Sequence, residues 1–170
     1  IWRGETDPLS AAGISRALDE AASRVGRGWR PIEVTDADRL PYELAQADVV
    51  IFAPQPTANP FDLEALTFKW GRALADFLGQ GGVVILLEVL SGNNQGTHRI
   101  LESAGLVSIG PLSDVSSVEA VVSDPSDALT WAVPLRYIAE TSSTAMGATS
   151  GHAVVETPQG ALVIHQVWNN

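Results

Sequence analysis

The sequence predicts an α/β fold with a mostly parallel sheet, helices on both faces, and antiparallel strands in the last third. Three observations carry this reading. Apolar runs and helical patterns alternate through the first two thirds, as they do when strands return by crossover helices. Two of the runs, Val49 to Ala53 and Val83 to Leu87, are continuously apolar, as strands buried on both faces are. The last third changes to short runs separated by turn residues.

The elements follow in order. Ile1 to Arg3 reads as a first strand with a clipped start, which suggests a mature form or a domain excised from a larger protein. Asp7-Pro8 opens the first helix, with Asp as cap and Pro at the first helical position. Ile14, Leu18, Ala21, Ala22 and Val25 recur on one face, and Gly26 and Gly28 stop it. Pro31 to Thr35 reads as a short strand. Asp48 to Ala53 is the next, followed by a turn-rich loop from Pro54 to Pro60. Asp62 to Leu78 is the clearest helix, with Leu63, Leu66, Trp70, Ala73, Leu74 and Phe77 on one face. After the strand Val83 to Leu87, a polar loop leads to a short helix over Thr97 to Ala104. Val118 to Val122, Arg136 to Glu140, His152 to Glu156 and Ala161 to Trp168 read as strands, the last two as a hairpin about Thr157-Pro158-Gln159-Gly160. Thr141 to Gly151, small and polar, reads as a loop.

The chain has 170 residues and reads as a single domain over 1–170, with 45% hydrophobic residues to fill its core. Its net charge of -10 opposes binding to nucleic acid or to anionic membrane surfaces. Its longest clean apolar run, Val83 to Leu87, is far short of a membrane span, so direct insertion is not expected. With no cysteine, thiol catalysis, disulfides and thiolate metal sites are excluded. The compartment is left open, with an extracytoplasmic setting favoured over a cytoplasmic one.

In open parallel sheets, ligands sit beyond the carboxyl ends of the strands. Three loops should meet there, and they supply the candidate ligand-binding residues: Glu5, Thr6 and Asp7; Gln55, Thr57 and Asn59; and Glu88, Ser91, Asn93 and Asn94. Glu88 ends an apolar strand, where a partly desolvated carboxylate could serve acid–base chemistry. It could equally reach solvent or cap a neighbouring helix. Ser91 lacks the flanking glycines of a nucleophile elbow. His98 reads as a surface residue of the short helix. If Thr157 pairs with Gly160, His152 stands opposite His165, a weak candidate metal pair that a bulge would separate. No third ligand is evident, and no cofactor is expected.

The block Ala47 to Pro54, then Leu63-Glu64-Ala65-Leu66, then Leu74 to Leu87, then Ile100 to Leu106, resembles class I glutamine amidotransferase-like domains. More narrowly, it resembles the non-catalytic branch in gliding-motility-type transporter auxiliary proteins, intraflagellar-transport proteins and trehalose-utilisation-like domains. The resemblance covers about 60 residues well, and its motifs speak to fold more than to function. It implies a flavodoxin-like three-layer sandwich. It also places Glu88 where catalytic members carry a cysteine, so a degenerate site used for binding or assembly is expected. A protein or carbohydrate ligand would fit. The alternative is a carboxylate-dependent hydrolase, with carbohydrate as the candidate substrate, pairing Glu88 with Asp7 or Glu5. A third reading is a homodimer through a sheet edge or the C-terminal hairpin, with Val163, Val167 and Trp168 as its apolar contacts.

Overall fold

The computed structural model describes residues 1–89, 96–140, 143–147 and 149–168. Ser91, Asn93 and Asn94 lie outside the described residues.

The first helix, α1, spans Pro8–Arg24, with Asp7 Oδ1 accepting from the Leu9 and Ser10 amides at 3.0 Å. Only Ala11 of this helix is buried, so its expected apolar face is at best half covered. A single turn, α2 (Leu40–Leu44), follows and buries Leu40 and Leu44. Strand β1 (Val49–Phe52), helix α3 (Pro60–Gly79) and strand β2 (Val83–Leu86) then form one βαβ unit. The two strands pair in parallel, Val49 opposite Val83 and Phe52 opposite Leu86. Single-residue parallel bridges extend this pair, since Trp2 bridges both Phe52 and Val34. Helix α4 is one short turn and a half, Arg99–Ser103.

The expected fold class is overturned at this point. The parallel sheet is a pair, not the main layer. The larger sheet is six-stranded and wholly antiparallel. Its strands are β3 (Leu112–Val115), β4 (Val118–Val122), β5 (Arg136–Ala139), β6 (Ser143–Met146), β7 (His152–Thr157) and β8 (Gly160–His165), in the order β3-β6-β8-β7-β4-β5. The molecule is α/β, but it is not a flavodoxin-like, mostly parallel sandwich.

Two physical reasons account for the error. The last third does not extend the parallel sheet. Its strands are four to six residues long and pair antiparallel among themselves, as closely connected strands do. They also bury a core of their own: Val115, Ala120, Val122, Ala139, Ala145, Val154 and Val155. The second reason lies in the apolar runs. Val50 and Phe52 face the helical core, but Val49 is 45% exposed and Val83 50%. The second face is buried at Ile51 but open at Val49, Val83 and Ile85, so continuous apolarity does not mean burial on both faces along the whole of these strands.

The segment expected as a loop, Thr141 to Gly151, contains β6, an interior strand between β3 and β8. Ala145 is fully buried and Met146 nearly so, although the flanking Ser143 and Thr144 are polar. Thr141, Ser142 and Ala148 lie outside the described residues.

The helical core gathers Trp2, Leu40, Phe52, Leu63, Trp70, Leu74, Phe77 and Ile100. Trp168, past the end of β8, packs against it and ties the C-terminal end of the chain back to the helical layer.

Candidate functional site

The described parts of the three loops expected at the strand ends do meet. Among the described residues, their polar groups are turned on one another. Gln55 is 1% exposed. Its Nε2 donates to Ala53 O at 2.7 Å and Thr6 Oγ1 at 2.9 Å, and its Oε1 accepts from the Glu5 amide at 2.7 Å. Its own amide donates to Thr97 Oγ1 at 3.1 Å. Thr6 Oγ1 donates to Pro54 O at 3.0 Å, and Thr57 Oγ1 reaches both Glu5 O and Glu5 Oε2 at 3.4 Å. The backbone comes close as well: a Cβ on Gly4 would stand 2.6 Å from Gln55 Oε1 and 2.9 Å from the Trp2 ring. Gln55 therefore fills the crevice rather than lining it.

Asp7 and Asn59 are also committed. Asp7 caps α1, and Asn59 Oδ1 accepts from the Phe61 amide at the start of α3 at 3.0 Å. Free amides at helix starts are the groups that would otherwise hold an anionic ligand. Hydrogen bonds from Ser10 hold the Asp7 carboxyl below the usual carboxylate range.

Glu88 makes the densest set of contacts. Its side chain is 6% exposed. Oε1 accepts from the Val89 amide at 2.7 Å and the Thr97 amide at 2.8 Å. Oε2 accepts from the His98 amide at 2.8 Å and lies 2.7 Å from His98 Nδ1. Thr97 and His98 immediately precede α4, so the carboxylate caps that helix from the end of β2. An oxygen already receiving amide N–H groups is an acceptor, so His98 Nδ1 carries the proton and donates. Gly96 makes the approach possible, since a Cβ there would collide with both the Glu88 carboxylate and the His98 ring.

Sequence reasoning found Glu88 and missed its partner. His98 is not a surface residue: its side chain is 7% exposed. Nothing local in the sequence signals this, because the capping carboxylate sits ten residues upstream. Among the described residues, the Glu88 carboxylate is engaged by the Val89, Thr97 and His98 amides and by the His98 ring.

His98 Nε2 points the other way, 3.8 Å from Glu102 Oε2. It faces a cleft of about 270 Å³ lined by His98, Arg99, Glu102 and the segment from Ile109 to Leu112. Arg99 is drawn aside, its Nη1 donating to Glu64 Oε1 at 3.0 Å.

His152 and His165 do stand opposite each other in the β7–β8 ladder. Two irregularities of opposite sense lie between them and the turn, one adding Val154 on β7 and one adding Leu162 on β8. The shifts cancel, and the register holds at both ends. Each ring is bonded to a different aspartate of one loop: His152 Nε2 to Asp124 Oδ2 at 2.9 Å, and His165 Nδ1 to Asp127 Oδ2 at 2.6 Å. Among the described residues, no group of three or more His, Asp or Glu side chains is placed to hold a metal ion. The pair pins the 124–127 loop to the hairpin.

Hydrogen bonds from Ser126, then from His152, hold Asp124 down to about 2 from an ordinary 3.8. The His165 contact and the Leu129 amide lower Asp127. Both carboxyls take up protons more readily in the unfolded chain, so their contribution is full above about pH 4 and fades as pH falls toward 2. Between pH 5 and pH 2.5, wild type is expected to lose more urea resistance than the Asp124→Asn, Asp127→Asn double variant. Equal losses would show that the pins add nothing.

The chain matches no protein-family model, no curated protein and no solved structure. Its function is therefore argued from the site alone.

Proposed function

We propose that this chain is a non-catalytic binding domain that engages a protein partner. One observation carries the reading. Glu88, the candidate acid–base carboxylate just past β2, spends its carboxylate on three amides and an imidazole. A group so engaged must give up its own fold contacts before it can attack a bond or accept a proton from a substrate. The strand-end edge is thus poorly suited to be a reaction site.

The surface supports a protein partner more than a sugar. Leu129, Trp131, Leu135 and Ile138 are 53%, 80%, 62% and 60% exposed, all in the segment from the 3-10 turn (Ala128–Thr130) to β5. Three exposed aliphatic side chains and an exposed aromatic one within ten residues of chain suit an apolar protein contact. Ala132, next to Trp131, has φ 62, a conformation that non-glycine residues rarely adopt and that functional segments retain.

The test is a panel of ester, amide and glycoside substrates run on wild type and Glu88→Gln. No turnover that depends on Glu88 is expected. Any hydrolysis present in the wild type and abolished in a folded Glu88→Gln protein would overturn the reading in favour of a carboxylate-dependent hydrolase.

A further inference from the structure

Each of the three histidines pairs a ring nitrogen with a carboxylate oxygen, and of the three only His98 is buried while also lining a cleft. From this arrangement we propose that His98 Nε2 and Glu102 Oε2 form a binding site for a divalent transition ion such as Zn²⁺, at the mouth of the cleft between α4 and the Ile109–Leu112 segment.

Both donor atoms are held in place from behind. Glu88 accepts the hydrogen bond from His98 Nδ1–H, which fixes the tautomer and leaves the Nε2 lone pair for a ligand. A carboxylate behind a histidine is the usual outer partner of a metal-bound imidazole, orienting the ring and raising its basicity. Glu102 is fixed in the same way, because its Oε1 accepts from the Ile109 amide at 3.1 Å. Its other oxygen is left facing the imidazole. The spacing is i to i+4, which puts both side chains on one face of the short helix.

The distance fits an ion better than a hydrogen bond. At 3.8 Å, Nε2 and Oε2 are too far apart to bond directly. Two bonds of about 2.0–2.2 Å at a tetrahedral zinc put the donor atoms about 3.4 Å apart, a few tenths of an ångström closer. Glu102, with its side chain 36% exposed, has room to make that adjustment. Arg99 also lines the cleft, and its Nη1 is paired with Glu64 Oε1, which offsets part of its charge. One imidazole and one carboxylate form a mixed nitrogen and oxygen set, which suits zinc or its neighbours rather than calcium or magnesium. Among the described residues no third side-chain ligand joins them, so the remaining positions fall to water or to an incoming ligand atom.

The proposal is independent of the binding reading above, because it concerns the opposite face of His98 from Glu88. Tag-free full chain is titrated with Zn²⁺ alone by calorimetry, and with Co²⁺ for its visible absorption. One ion per chain is expected. Glu102→Gln keeps the oxygen that accepts from Ile109 and should keep the fold, so it isolates the metal contact; it is expected to weaken Zn²⁺ by more than about tenfold. His98→Asn should abolish binding, and the His152→Asn, His165→Asn double variant should leave it unchanged. No binding in the wild type overturns the site. So does binding that survives in Glu102→Gln or is lost in the hairpin variant.

Discussion

Glu88→Ala is expected to lower the stability of the fold by about 3–5 kcal/mol, because it strips several buried donors of their acceptor at about 1–3 kcal/mol each. The carboxylate is 6% exposed and serves three backbone amides and one imidazole. Truncation leaves the Thr97 and His98 amides and the Nδ1–H without an acceptor where water enters poorly. Each unsatisfied buried donor is costly. Glu88→Gln should cost less, about 1–3 kcal/mol, because one oxygen remains while the other becomes a donor facing donors. Urea denaturation followed by far-ultraviolet circular dichroism checks both. A Glu88→Ala protein within about 0.5 kcal/mol of wild type, as surface substitutions are, would mean that water satisfies this end of β2. The capping argument, and the reading of the edge as sealed, would then both fail.

How much of this could be read in advance depends on how local each cause is. Helix α3 was legible because its signals lie within it: an apolar face at helical spacing, Asn59 ahead of it and glycines behind it. The hairpin register was legible because Thr157 to Gly160 sets it, although the two compensating bulges were invisible and the register held only because they cancel. The sheet itself was not legible. Whether a strand such as Val118 to Val122 joins the parallel pair or pairs elsewhere is decided by contacts far along the chain. Strand β6 hid for a related reason: Ser143, Thr144 and Ala145 have no apolar alternation, and their burial is supplied by β3 and β8.

The candidate site shows the same division. Glu5, Thr6, Gln55, Thr57 and Glu88, read from the sequence as one edge, do gather in space. Polar residues at strand ends look alike, however, whether they await a ligand or satisfy a neighbour. Asp7, Asn59 and Glu88 each cap the helix that follows their own strand. Only the three-dimensional positions of the amide donors distinguish a cap from a binding group. His98 was read as a surface residue because the carboxylate that holds it, Glu88, lies on a different element.

Trp70→Ala is expected to be the most damaging apolar substitution, at about 3–5 kcal/mol. The side chain is fully buried in the helical core. Its ring meets Trp2 edge-on with centroids 4.7 Å apart and lies 5.8 Å from Phe52. Its Nε1 donates to Ala37 O at 2.8 Å, fastening α3 to the segment ahead of α2. The effect should also spread beyond the cavity. Trp2 is the residue through which Val34 and β1 are bridged, by the bonds from Trp2 N to Ile51 O and from Ala53 N to Trp2 O. The ring of Trp2 also lies against Gly4, one residue before the loop that Gln55 holds. Losing the Trp70 ring should therefore loosen the Gln55 network as well as the core. Trp70→Phe keeps most of the packing and loses the hydrogen bond, so it should cost less. Trp131→Ala, at a position 80% exposed, is the matched control and should stay within about 0.5 kcal/mol of wild type. Equilibrium denaturation of the three variants ranks them, and hydrogen exchange at the Glu5 amide reports on the edge. If Trp70→Ala destabilises the chain and yet leaves Glu5 as protected as in wild type, the core and the strand-end network are uncoupled, and the crevice is held shut by its own hydrogen bonds alone.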